Sequence, residues 1–145
     1  MTFDAEAFKS AAISDANADR YTPIPEGTYT GTIIASEPAA GESAKGPWAR
    51  LDVTVNIEDP TTGRVRGVRG GIMLDLTESG GLAVGPNRNV KLGQLRTAIG
   101  KNQPGVPFSW GDAVGHEVSV YIKHRADKND PEKLYEDIAS FKAAH

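Results

Sequence analysis

The chain has 145 residues, a mass of 15.4 kDa, 39% hydrophobic residues and no cysteine. That excludes a disulfide scaffold, a thiolate zinc site and a cysteine nucleophile. It leaves room for one domain with a real core. The net charge of −3 hides an uneven distribution. Residues 1–44 hold two basic and seven acidic residues, 45–125 hold eleven and seven, and 126–145 hold three and five. A basic centre between acidic ends suits a local polyanion site, because the local field rather than the total charge steers a ligand. No apolar run approaches the ~18 residues of a membrane span. The acidic start lacks the pattern of a signal peptide, so a soluble protein of the cytoplasm is expected, with no membrane partner.

In chain order, Asp4 caps a short predicted helix to about Ala12, with Phe3 and Phe8 in apolar contact. Ser14–Arg20 reads as a polar linker, and Thr22–Gly27 as an extended lead-in set by Pro23 and Pro25. The expected organisation is an N-terminal extension over 1–21 and a single domain over 22–145. A first strand is expected over Thr28–Glu37, followed by a flexible loop over Pro38–Gly46. The clearest strand runs from Trp48 to Glu58. There Leu51, Val53, Val55 and Ile57 alternate with Arg50, Asp52, Thr54 and Asn56. Asp59–Gly63 is a hairpin turn. A third strand is expected over Arg64–Leu76, with a bulge or bend at Gly70-Gly71.

Beyond a glycine-rich loop, Asn89 is the expected cap of a helix over Val90–Ile99, ended by Gly100. Leu92, Leu95 and Ile99 form its apolar stripe. Phe108 and Trp110 read as core caps in the next loop. Val118, Val120 and Ile122 mark a fourth strand, and Leu134–Lys142 a fifth strand or a short helix. Three strands, a helix and two closing strands match the order of a five-stranded OB-fold-like Greek-key barrel. An open α+β sheet gives the same string.

Alternation places Trp48 and Arg50 on the wet face of the second strand, and Tyr121, Lys123 and Arg125 on that of the fourth. If Val65 faces inward, Arg64 and Arg66 both face outward on the third. Arg69 would then point inward unless the glycine bend turns it out. Cations that follow phosphates, beside rings that stack on bases at about 1–3 kcal/mol each, are what single-stranded nucleic acid uses. These eight residues are the candidate site. No metal, cofactor or catalytic constellation is expected. Gly80 and Gly85 have P-loop spacing but lead into Pro86-Asn87 rather than Lys-Ser/Thr. Residues 127–132 lack the glycine of a calcium loop. Asp75 and Glu78 are too few acids for a metal-dependent nuclease. His116, His124 and His145 have no evident carboxylate partner.

Five stretches carry a resemblance: Pro23–Tyr29, Trp48–Ile57, Gly71–Glu78, Leu92–Arg96 and Val120–Arg125. Together they resemble a group of small bacteriophage single-stranded DNA-binding proteins of the OB-fold type, over about residues 3–140. The resemblance implies a non-enzymatic role in phage replication or recombination. Single-stranded DNA would be the partner, replication or recombination proteins further partners, and the host cytoplasm the location. Many replication-type binders end in an acidic, partner-recruiting tail, whereas this sequence ends Phe141-Lys142-Ala143-Ala144-His145. The acidic segment 1–44 is the alternative recruiter. Self-association, as a dimer, is expected because it multiplies weak sites. The rival reading is a phage structural or protein-interaction module indifferent to DNA.

Overall fold

The computed structural model describes residues 2–17 and 21–144. Residues 18–20 of the predicted linker, and His145, lie outside the described residues. Seven elements follow in order: α1 (Ala5–Ser10), β1 (Gly27–Ser43), β2 (Gly46–Glu58), β3 (Val65–Leu74), α2 (Val90–Ala98), β4 (Glu117–Ala126) and β5 (Leu134–Ala143). The protein is mostly β. All five strands belong to one antiparallel sheet in the order β3-β2-β1-β4-β5. No helix among the described residues is long and apolar enough to cross a membrane.

The period-two pattern builds the core. Leu51, Val53, Val55 and Ile57 of β2 are buried with Val68 and Ile72 of β3, Val118, Val120 and Ile122 of β4, and Ile138 and Phe141 of β5. Leu92 and Leu95 of α2 join them, and Phe108 and Trp110 pack partly buried against the cluster. The predicted stop of α2 holds, with Gly100 at φ +76°. The predicted cap does not. Asn89 sits in the left-handed region and sends its side chain to Asp75 and Ala83 instead.

Three strand expectations need correction. The loop expected over Pro38–Gly46 is mostly strand: β1 continues to Ser43 and pairs with β2 to a tight turn, with Gly41 opposite Trp48. Pro38 is accommodated because this half of β1 pairs only on its β2 side, so its other edge has no ladder for a missing N–H to break. The irregularity expected at Gly70-Gly71 is absent, since the β2–β3 register is continuous from Ala49–Leu74 to Glu58–Val65. The sheet's bulges fall instead in β1 at Ile34, between Ile33 and Ala35, and in β5 at Ala139, opposite Tyr121 and Ile122.

The third correction concerns β3. Val65 is 65% exposed, while Val68, Gly70 and Ile72 face the core. Parity is therefore the reverse of the condition set by an inward Val65: Arg69 points outward and Arg66 belongs to the inward row. A lone valine beside a turn is weak information about facing, because exposed single apolar side chains are common.

The inward Gly70 closes the sheet on itself. The edge strands β3 and β5 share no backbone ladder, yet a Cβ at Gly70 would stand 2.8 Å from the Ile138 Cβ. Gly70 is small because β5 lies against it, and the sheet curls into a barrel-like shape with a side-chain seam. α2 lies beside this seam, with Gln94 Oε1 accepting from the Phe141 N–H and Lys91 Nζ donating to the Gly71 carbonyl. Gly70→Val should prise the seam apart and cost about 1–3 kcal/mol, the usual range for overpacking. A urea-denaturation midpoint equal to that of the wild type would contradict this seam.

Candidate nucleic-acid interface

Seven of the eight predicted residues separate into three groups, and Arg64 stands apart from all of them. The first is on β2 and β3. Trp48 lies over Gly41, where a Cβ would come within 2.9 Å of the indole, and the Arg50 guanidinium stands 5.3 Å from the Trp48 ring centre. Arg50 Nε donates to Asp52 at 3.1 Å and Arg69 donates to the same carboxylate at 3.2 Å. Burial pushes the Asp52 carboxyl up, but the hydrogen bonds from Arg50 and Arg69 outweigh it and hold it below its ordinary value. Asp52 thus fixes two guanidinium groups on the outer face and cancels one of their charges.

A second group runs along the outer face of β4 and β5. Tyr121, Lys123 and Arg125 alternate on β4, with the Lys123 ammonium 6.0 Å from the Tyr121 ring centre. Arg125 and Lys133 lie 5.9 Å and 5.5 Å from the ring centre of Tyr135. Tyr135 faces Arg125 in the β4–β5 register. None of the ion pairs among the described residues involves Lys123, Arg125 or Arg64; Asp137 faces Lys123 across the ladder. Arg64 is exposed at the β2–β3 turn.

Arg66 forms the third. It bonds Asp59 at 3.3 Å and Glu136 at 3.0 Å, donates to the Thr22 carbonyl, and contacts the Tyr21 hydroxyl. Its charge is committed to closing the β3–β5 seam, so its place in the predicted interface is corrected by the same parity reversal that turned Arg69 outward. Glu136 also accepts from the Tyr21 hydroxyl and from the Ile24 N–H at 2.7 Å. This network ties the lead-in segment to the barrel. Tyr21, expected in the N-terminal extension, thus packs with the domain, its ring 5.9 Å from that of Tyr135.

The first two groups sit at opposite ends of β1. Tyr121 faces Thr28 and Trp48 faces Gly41, thirteen positions further along, which is about 43 Å of extended strand at ~3.3 Å per residue. No described ring contact or ion pair joins them. The register places Thr30, Thr32, Asn56 and Thr54 on the outer face between them, with Glu117 opposite Thr32 and Glu37 opposite Asp52. Tyr135 and Lys133 escaped the sequence reading because the fifth segment was readable as helix. Once it is a strand, its pairing with β4 brings Tyr135 beside Arg125.

The remaining chemistry-bearing residues have structural work. His124 Nε2 lies 2.7 Å from the Ile24 carbonyl oxygen, Asp75 pairs with Arg88, and no group of three or more potential metal-binding side chains occurs among the described residues. The chain matches no protein-family model and no curated protein.

Burial alone would push Glu136 up, but the Tyr21 hydroxyl, the Ile24 N–H and Arg66 outweigh it and hold the carboxyl below its usual value. The backbone N–H of Thr61, with Arg66, likewise lowers Asp59. A depressed carboxyl stabilises the fold fully above its unfolded pKa, about 4.3 for Glu. That contribution is lost as pH falls through the lower folded value. Burial and the Glu136 carboxylate push the Tyr21 phenol up to about 12. Its share is therefore complete below about pH 10 and lost as pH rises from there through the folded value of about 12. Glu136→Gln should lower stability near neutrality by about 1–3 kcal/mol and flatten the acid limb of a melting-temperature profile over pH 3–7. An acid limb as steep as the wild type's would contradict this account.

Proposed function

We propose that this protein is a non-enzymatic, largely sequence-independent single-stranded DNA-binding module built on an OB-fold-like barrel. The observation that carries the reading is the outer row of β4 and β5. There Lys123 and Arg125, which take part in none of the ion pairs among the described residues, alternate with the Tyr121 ring, and Arg125 stands beside Tyr135. Unpaired cations are what a phosphate chain needs, and neighbouring ring faces stack on any base. A duplex would call instead for a helix or ribbon fitted to a groove.

The fold supports the reading. The order β3-β2-β1-β4-β5, a helix between β3 and β4, and touching β3 and β5 edges are what a five-stranded OB barrel requires. Trp48, Arg50 and Arg69 are a second contact point, reached along the threonine- and asparagine-bearing outer face of β1 and β2. Single-stranded DNA bound here fits a role in phage replication or recombination, in the host cytoplasm.

The rival module without DNA binding draws on the exposed Ile34, Val65 and Met73, which share the outer face with Arg69. Titration with oligo-dT separates the two readings. Binding should weaken as salt rises, and Lys123→Ala and Arg125→Ala should each reduce the log–log salt slope by about 0.7, the single-strand value per phosphate contact. In a Trp110→Phe background, Trp48 should be quenched by long oligonucleotides and spared by short ones that occupy only the Tyr121 end. Absence of binding at low salt, or binding indifferent to salt, would refute the proposal.

A further inference from the structure

α2 carries an open groove that the nucleic-acid reading does not use. One flank is a cleft of about 470 Å³ between α2, the 82–89 loop and residues 102–104, with Leu82, Val84 and Val90 as apolar wall and Arg88 and Arg96 as cations. No lining residue carries a carboxylate. Arg88 pairs with Asp75 outside the lining, and Arg96 donates through Nε to the Lys101 carbonyl with its guanidinium over Phe108. A second cleft of about 470 Å³ on the other flank of α2 shares Val90, Gly93 and Asn102 with the first. Gly93 is what joins them, since a Cβ there would meet only Asn102 Nδ2 at 3.7 Å. A mid-helix glycine weakens a helix by roughly 1 kcal/mol, and among the described residues nothing closer than Asn102 Nδ2 fills the space it leaves.

α1 has the opposite character. Asp4 caps it through the Glu6 and Ala7 N–H groups, yet none of its residues is buried. Phe3 and Phe8 touch only one another among the described ring contacts, at 5.8 Å, and remain 73% and 71% exposed. Asp4 at its cap and Glu6 in its first turn are acidic, and Lys9 in its last turn stands 3.7 Å from Glu6, which leaves the segment one net negative charge at its N-terminal end. Because α1 buries nothing on its own chain, its own groove does not hold it.

We infer that the α2 groove is a receptor for an acidic, phenylalanine-bearing helix, and that its occupant is α1 of a second copy of this chain. Phe3 and Phe8 enter the apolar clefts over Gly93, while Asp4 and Glu6 face Arg88 and Arg96. Reciprocal exchange of two such segments closes a two-fold dimer, and the two linked contacts reinforce one another.

Sedimentation equilibrium of the full chain tests this. The wild type should show a concentration-dependent monomer–dimer equilibrium. Phe3→Ala/Phe8→Ala should weaken it at least about tenfold, the minimum for losing a buried aromatic, with no change in melting temperature at concentrations where the wild type is monomeric, because neither ring is buried in the monomer. Gly93→Trp should block the groove to the same extent. Arg88→Glu/Arg96→Glu should abolish dimers alone and form them when mixed with Asp4→Arg/Glu6→Arg. A wild type that is monomeric at every concentration, docking within one chain included, overturns the inference. So does a dimer that survives both the phenylalanine and the Gly93 substitutions. Oligo-dT binding, measured in parallel, reads the nucleic-acid proposal separately, because the groove contains none of its residues.

Discussion

The structure depends on how two strand edges meet without a backbone ladder. β3 and β5 are held by an apolar contact, Gly70 against Ile138, and by an ionic one, Arg66 between Asp59 and Glu136. An open antiparallel edge is a template for unwanted pairing. Curling the sheet until the edges touch side chain to side chain removes that exposure and gives the core its second wall. The ionic half lies at the rim, where Arg66 keeps some access to water and both carboxylates are nearly covered. Such a pair is costly to break on one side only, since the remaining charge is left desolvated.

This closure also determines which charges are available to a ligand. Arg66 is consumed by the seam and Asp52 offsets half of the Arg50–Arg69 pair, so raw counts of basic residues overstate the attraction toward a polyanion. What remains concentrated is the β4–β5 row, where Lys123, Arg125 and Lys133 stand near the Tyr121 and Tyr135 rings and form none of the ion pairs among the described residues, although Asp137 faces Lys123 across the ladder. Rings leave a cation's charge uncancelled while fixing its position. That distinguishes this row from the network at the seam, where the same residue types serve stability.

Much of the fold was legible beforehand. The strict alternation in β2 and β4 identified their buried faces because one wet and one dry side permits only one register. The helix after β3 and its glycine stop were visible for similarly local reasons. The hairpin arm was hidden because proline, glycine and alanine over 38–41 score as loop, and only pairing with β2 makes them strand. The β3 facing was hidden because glycines at 67, 70 and 71 erase the alternation that a parity argument needs.

Sequence alone determined the first four strands, the central helix, the absence of thiol chemistry and the outward placing of Tyr121, Lys123 and Arg125, since these follow from composition and local periodicity. Tertiary structure decided that Arg66 belongs to the seam and Arg69 to the surface, that Tyr135 stands with Arg125, and that Trp48 lies at the far end of β1. Those are facts of pairing between segments distant in the chain. A side chain's partners depend on which strand arrives beside it, and no local pattern encodes that arrival.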